Sequence, residues 1–355
     1  MTVYSFASSH APLPQDVLAA LSDDVAEWKH SGFSALELPF TGKDFADILA
    51  LTEHELRALL NLPEAYRVLF LQGGASAQFA LLPMNLLGSA PHCDYVQTGH
   101  WSKRAIKEAA AWCDVRVAAV GSGGELPVPC SWDTSPDAAY CHYTSNETAE
   151  GLQFQCYPEI SDVPLVADMT ADFLTRPIPV ERFGLIYASA QKNLGAAGLT
   201  IVIVREDLLG RGRSGIPAPF SYARQAEAKS KVNTPPTFSV LVACRMLGWL
   251  RGCGGLDAMA ERNGQKSAKL YAALDGDFYR CVASPGSRSP ISVCFRLPDS
   301  ALDVLFVEEA RSHGLFHLQG HPQVGGIRAS LYNAVPECAV DALVSFMSDF
   351  KRRRG

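Results

Sequence analysis

Two residues set the chemistry open to this chain. Asp168 closes a short apolar run (Val163, Leu165, Val166), and Lys192 follows a second run, Gly184 to Tyr187, by way of Ser189-Ala190-Gln191. Both runs are short, apolar and bounded by turn residues, which is the pattern of buried strands. A lysine amine can condense with an aldehyde. A carboxylate can keep a pyridine nitrogen protonated, so that the ring draws electrons. An acid ending one strand and a lysine after a later one can therefore hold pyridoxal 5'-phosphate. Taken singly, a lysine after a strand is most often a solvated surface residue, and an aspartate before a loop most often a cap. Spacing alone favours those plainer readings, and the neighbouring sequence tips the balance.

The segment from Asp168 to Arg211, DMTADFLTRPIPVERFGLIYASAQKNLGAAGLTIVIVREDLLGR, closely resembles the lysine region of the phosphoserine aminotransferases. These are a class-V family of fold-type-I pyridoxal phosphate enzymes. Ala190-Gln191-Lys192-Asn193 followed by Gly198-Leu199-Thr200 is highly specific to them, and the resemblance runs from about Leu13 to about Phe350. It implies that Lys192 bonds the cofactor and then acts as general base and acid, while Asp168 supports the ring. Gln72-Gly73-Gly74-Ala75-Ser76 lies between a strand and a helix, where glycines let amides approach a phosphate. Most such turns are merely turns, but this one matches the family's FLQGGAS loop, so Ala75 and Ser76 are expected on the cofactor phosphate, with Gln191. Trp101, in Gly99-His100-Trp101-Ser102, is expected to stack on the pyridine ring. Thr148, in Ser145-Asn146-Glu147-Thr148, is expected to reach the phenolic oxygen; otherwise it is an N-cap. Asn233 and Thr234, in NTPPT, are expected to reach a neighbouring subunit's cofactor phosphate, which implies a homodimer with shared sites. Arg328, in VGGIRASLYNAVP, is expected to grip the substrate α-carboxylate, with His321 nearby.

The substrate end departs from the family. A His-Arg pair usual there is Phe40 and Thr41 here, within Leu36-Glu37-Leu38-Pro39-Phe40-Thr41. The later Gly-His-Arg is Gly320-His321-Pro322, and the N-terminal Ser-Ala-Gly-Pro is Ala7-Ser8-Ser9-His10. Phe40, Thr41, Ser9 and His10 are thus candidate substrate contacts. Charge-assisted hydrogen bonds contribute about 1.5–3 kcal/mol each. Losing two cations points to an aminotransferase with altered substrate preference, with Lys43, Arg288 or His10 as replacement charges. A genuine phosphoserine aminotransferase is the alternative. A lyase or decarboxylase on the same machinery is another, and a non-catalytic homologue is a third.

The elements that must place these residues read as α/β. Helices are expected from about Gln15 to Gly32, Lys43 to Leu60, Lys103 to Trp112, Leu256 to Leu274, Ala301 to Ser312 and Val340 to Phe350. Strands are expected at Arg67–Leu71, Asp94–Gln97, Val115–Val120 and Ala138–Thr144, with Phe33–Phe40 a strand or extended turn. The resemblance implies a fold-type-I arrangement: an arm (1–14), a large domain (15–253) with a mainly parallel seven-stranded sheet, and a small α+β domain (254–355). The apolar helix after Asn233 is expected to link the two.

Composition bounds the alternatives. Of 355 residues, 48% are hydrophobic and 19% charged, ordinary for a soluble chain. Net charge is −6 and the one basic run is terminal, Lys351 to Arg354, so no nucleic-acid face is legible. Ten cysteines lack CxxC or Cys/His spacing, which argues against a metal site and for a reducing compartment. The stretch Phe238 to Leu250 is too short to span a bilayer and Arg245 interrupts it. With no signal-peptide pattern, a cytoplasmic enzyme acting on small amino and 2-oxo acids is expected.

Overall fold

The computed structural model describes residues 2–160, 163–274 and 276–355. Seven strands form a central sheet: β1 (Tyr66–Leu71), β2 (His92–Gln97), β3 (Asp114–Val120), β4 (Cys141–Thr144), β5 (Leu165–Asp168), β6 (Leu185–Ser189) and β7 (Thr200–Arg205). Their order is β1-β7-β6-β5-β4-β2-β3. Strands β3, β2, β4, β5 and β6 pair in parallel, and β7 is antiparallel to both β6 and β1.

The central strands are apolar throughout because both faces are covered. Alternate residues enter different cores. Ile201 and Ile203 join Ile186, Ala188, Leu165 and Ala167 on one face. Val202 and Val204 join Leu185, Tyr187 and Val166 on the other. The first face is covered by α1 (Gln15–Ala26), α2 (Lys43–Leu60) and α5 (Thr237–Gly252). The second is covered by α3 (Gly74–Leu86) and α4 (His100–Ala109). In α2 the buried Phe45, Ile48, Leu49, Leu56 and Leu60 follow the helical period, and Asn61 ends the helix in the left-handed region at φ 49°.

A second core fills the C-terminal part. Strands β8 (Arg280–Cys281), β9 (Ser292–Arg296) and β10 (Ile327–Ser330) form an antiparallel sheet. Helices α7 (Ser300–Ser312) and α8 (Glu337–Arg354) pack on it, with the Phe306 ring 5.0 Å from Phe346 and 5.2 Å from Phe350.

The boundaries differ from the sequence reading in five places. The arm is part of the C-terminal unit: Tyr4 and Ser5 pair with Leu315 and Phe316, and Phe6 is fully buried in that core. The link between cores is α6 (Gly255–Ala273), not the preceding apolar helix. Leu256 and Met259 sit in the large core and Leu270 in the C-terminal one, whereas the buried apolar residues of α5 all face the large core. Residues 33–40 contain a 3-10 turn, Ala35–Glu37, because Ser34 and Glu37 cap each other. Helix α1 stops at Ala26, before positive φ at Lys29 and His30, and α4 begins at His100 rather than Lys103. Among the described residues no helix is long and apolar enough to cross a membrane.

Candidate active site

Side chains converge where the parallel strands end, the usual ligand side of such sheets. Thr144, Asp168 and Ser189 are the last residues of β4, β5 and β6. Helix α3 starts after β1, and α4 after β2. A cavity of ≈ 410 Å³ opens between them, within the range that holds a small cofactor. A larger depression, ≈ 780 Å³ beside Arg67 and Lys231, contains none of the residues nominated from sequence.

The cavity gathers most of them. Ala75, Ser76, Trp101, Thr148, Asp168, Gln191 and Lys192 all line it. So do Ser9, His10, His321 and Arg328. Four do not. Phe40 packs partly buried on the large core, and Thr41 is exposed just before α2. Asn233 accepts a hydrogen bond from Gln225, and the Thr234 carbonyl accepts one from Gln72. Asn233 and Thr234 thus stand outside this chain's own cavity.

Each side chain is held by local structure. The two glycines at the start of α3 have φ of 99° and 67°, and a Cβ at Gly73 would lie 2.6 Å from Ala77. Such a turn leaves first-turn amides without intrahelical partners and facing the cavity. The Ser189 hydroxyl donates to Gln191 Oε1 at 2.5 Å. Trp101 Nε1 donates to Thr148 Oγ1 at 2.8 Å, and Arg328 Nη1 donates to the Thr148 carbonyl at 3.1 Å. Thr148 therefore ties the ring of Trp101 to the guanidinium of Arg328. The arm is fixed by Tyr332 Oη donating to Ser8 O at 2.7 Å and Ala11 N donating to Gln191 O at 2.9 Å. That second bond puts Ser8, Ser9 and His10 beside the lysine loop.

The electrostatics favour a reactive amine. Burial lowers the Lys192 pKa to about 8, opposed by Asp168 and reinforced by Arg328. Its Nζ lies 5.8 Å from the Trp101 ring centroid. Burial pushes the Asp168 carboxyl upward, and the Thr170 hydrogen bonds hold it down, with Thr170 N donating to Oδ1 at 2.9 Å. Behind it Tyr187 of β6, paired with Asp168 of β5, shares a 2.9 Å hydrogen bond with His142 Nε2. Burial keeps His142 neutral, near 3. Among the described residues no His, Cys, Asp and Glu cluster is suited to a metal.

Sequence reading missed Thr144, Thr170 and Ser189, ordinary residues at or just past strand ends. It also missed Arg104, which lines the cavity. The signal for Arg104 was its i,i+3 relation to Trp101, hidden by placing the helix start after Trp101.

The class-V aminotransferase model matches residues 3–343. The chain belongs to the class-V aminotransferases. It is 50% identical to the phosphoserine aminotransferase of Laribacter hongkongensis, over 100% of both chains. To that of Nitrosomonas europaea it is 46% identical, over 99% of this chain and 98% of the other. The phosphoserine aminotransferase structure from Bacillus circulans subsp. alkalophilus superposes with a TM-score of 0.97 at 41% identity, over 99% of each chain. As a class-V aminotransferase the protein is a fold-type-I enzyme that uses pyridoxal 5'-phosphate. The cavity fits that group: a desolvated amine, a buried carboxylate, free amides at a helix start and an indole face surround one space of suitable size.

Proposed function

We propose that the protein is a phosphoserine aminotransferase, moving an amino group between glutamate and the 2-oxo acid that corresponds to phosphoserine. The carrying observation is full-length similarity, 45–50% identity over 99–100% of the chain, to relatives of that name. An altered preference is the less supported reading. Its argument rested on the departures at Phe40 and Thr41, at Pro322 and at Ala7 to His10; Phe40 and Thr41 form no wall of the cavity that one chain supplies, while His321 and Ser8 to His10 do.

Pyridoxal phosphate bound here would supply an aldehyde and an electron-accepting ring. Lys192 would hold the cofactor and take the proton from the substrate Cα; its lowered pKa leaves more neutral amine at neutral pH. Asp168 would keep a proton on the ring nitrogen. Trp101 would cover one ring face, and Thr148 would offer its hydroxyl hydrogen, since Oγ1 already accepts from Trp101. Ala75, Ser76 and Gln191 would hold the cofactor phosphate, joined by Asn233 and Thr234 of a second copy in a homodimer. Arg328, anchored on Thr148, would present its other donors to the substrate carboxylate.

The test is a single-turnover half-reaction of the cofactor-loaded protein, followed by absorbance. Phosphoserine and glutamate should both bleach the cofactor band. Bleaching by glutamate or another amino acid, with none by phosphoserine at millimolar concentration, would overturn the proposal.

A further inference from the structure

Resting on the phosphoserine reading, we infer that Arg104 receives the substrate phosphate, in place of the cations the chain lacks at Phe40 and Thr41. Phosphoserine carries its phosphate on the side-chain oxygen, beyond Cβ. The cation that binds it must therefore stand apart from the one that binds the α-carboxylate.

The cavity offers five basic side chains: His10, Arg104, Lys192, His321 and Arg328. Lys192 is committed to the cofactor. Arg328 is 9% exposed and anchored on the Thr148 carbonyl, which suits the carboxylate end. Burial and the neighbouring His100 and Arg328 hold His321 below its ordinary pKa, so it brings little charge at neutral pH. Its ring lies 4.3 Å from His100. Arg104 differs from all of these. It is exposed, always charged, and makes no ion pair or hydrogen bond among the described residues. It sits one turn after Trp101 on α4, and its guanidinium carbon is 5.9 Å from the Trp101 ring centroid. Helical side chains lean toward the N-terminus, so the residue is directed over the ring and the cavity mouth. Its fork is free to meet a phosphate with paired donors.

Of the three replacement cations suggested by sequence, His10 lines this cavity and the other two are elsewhere. Lys43 is exposed and paired with Asp47 at 2.5 Å. Arg288 lies over the Tyr271 ring at 4.9 Å, in a different cavity.

The experiment compares native, Arg104→Gln and Arg104→Lys holoenzymes in half-reactions with phosphoserine and L-alanine. The ratio of kcat/KM for phosphoserine to that for L-alanine should fall roughly ten- to hundredfold in Arg104→Gln, through KM. Arg104→Lys should lie between. Inorganic phosphate should compete with phosphoserine in the native enzyme and much less in Arg104→Gln. A native enzyme active on phosphoserine, with that ratio unchanged in Arg104→Gln, overturns the assignment of Arg104 alone. Equal losses with both substrates in both variants overturn it too, since that marks a structural role. A native enzyme inert to phosphoserine overturns the substrate reading itself.

Discussion

The two ends of the cavity are built differently. At the inner end Asp168, Thr144 and Ser189 close adjacent strands of one sheet, and Lys192 follows three residues after β6. Asp168 is paired on both sides, with Thr144 and Tyr187, Ser189 is paired with Thr200, and Asp168 and Lys192 are both buried. At the outer end the walls come from three distant stretches: the arm at Ser8 to His10, the second turn of α4 at Arg104, and the loop at His321. The arm is held by hydrogen bonds from Tyr332 and to Gln191, Arg104 by its helix, and His321 by ring contacts with His100 and Trp101. The reaction type is thus invested in the rigid half, and substrate choice in the half where a loop residue can change at small cost to the fold.

The sharpest way to break this division is Lys192→Ala. Loss of the proton carrier should lower the single-turnover rate about 10³-fold or more, with phosphoserine, glutamate and alanine alike. Retention of a tenth of the native rate would place proton transfer on another group, and the inner end would not own the chemistry.

Arg328→Lys probes the boundary between the ends. Lysine keeps the charge but not the fork that can hold Thr148 and a carboxylate together. Half-saturating concentrations should rise about tenfold to a hundredfold, by the same factor for every amino acid, because all share the carboxylate. A loss much greater for phosphoserine than for alanine would mean that Arg328 reads the phosphate, and would exchange its role with that given to Arg104.

Legibility in the sequence followed the same division. Asp168, Lys192, Gln191, Ala75 and Ser76 lie in short contiguous motifs, where a strand end and its following turn are neighbours in the chain. The helix Lys43–Leu60 was legible to the residue because its apolar period and its ends agree. The docking of the arm was not. Phe6 is one apolar residue without periodicity, and what buries it lies some three hundred residues away. Arg104 was missed for a smaller reason. Starting α4 at Lys103 left Trp101 outside the helix, so the shared face disappeared. The start at His100 is set by carboxylates from a distant loop, Glu147 on Trp101 N and Ser102 N and Glu150 on His100 N, each at 2.8 Å. The local part of the cap, Ser102 Oγ accepting from Thr98 N and Gly99 N, is carried by one serine, and the two carboxylates lie too far along the chain to signal it.

That cap yields the smallest effect, and it tests the one helix that serves both ends. Glu147 and Glu150 face the start of α4 across Gly99, where a Cβ would lie 2.6 Å from Glu150 Oε2 and 2.8 Å from Glu147 Cδ. Among the described residues, Glu150 Oε2 is buried without a hydrogen-bond partner. Burial first, and Glu147 second, raise the Glu150 pKa to about 7, while His100 N and Lys103 oppose the rise. The folded pKa thus stands above the unfolded one, near 4.5. Between those values the native state holds a proton the unfolded chain has released, so this contribution is full below about 4.5 and is lost as pH rises through about 7. Glu150→Gln keeps an oxygen for His100 N and removes the titration. At pH 8 the variant should be more stable than native by about 1–3 kcal/mol, and at pH 4.5 the difference should shrink toward zero. Thermal unfolding of both proteins at the two pH values measures it directly. A native melting temperature equal to the variant's at pH 8 would mean that Glu150 ionises as in water, and that the start of α4 is solvated rather than sealed by a protonated acid.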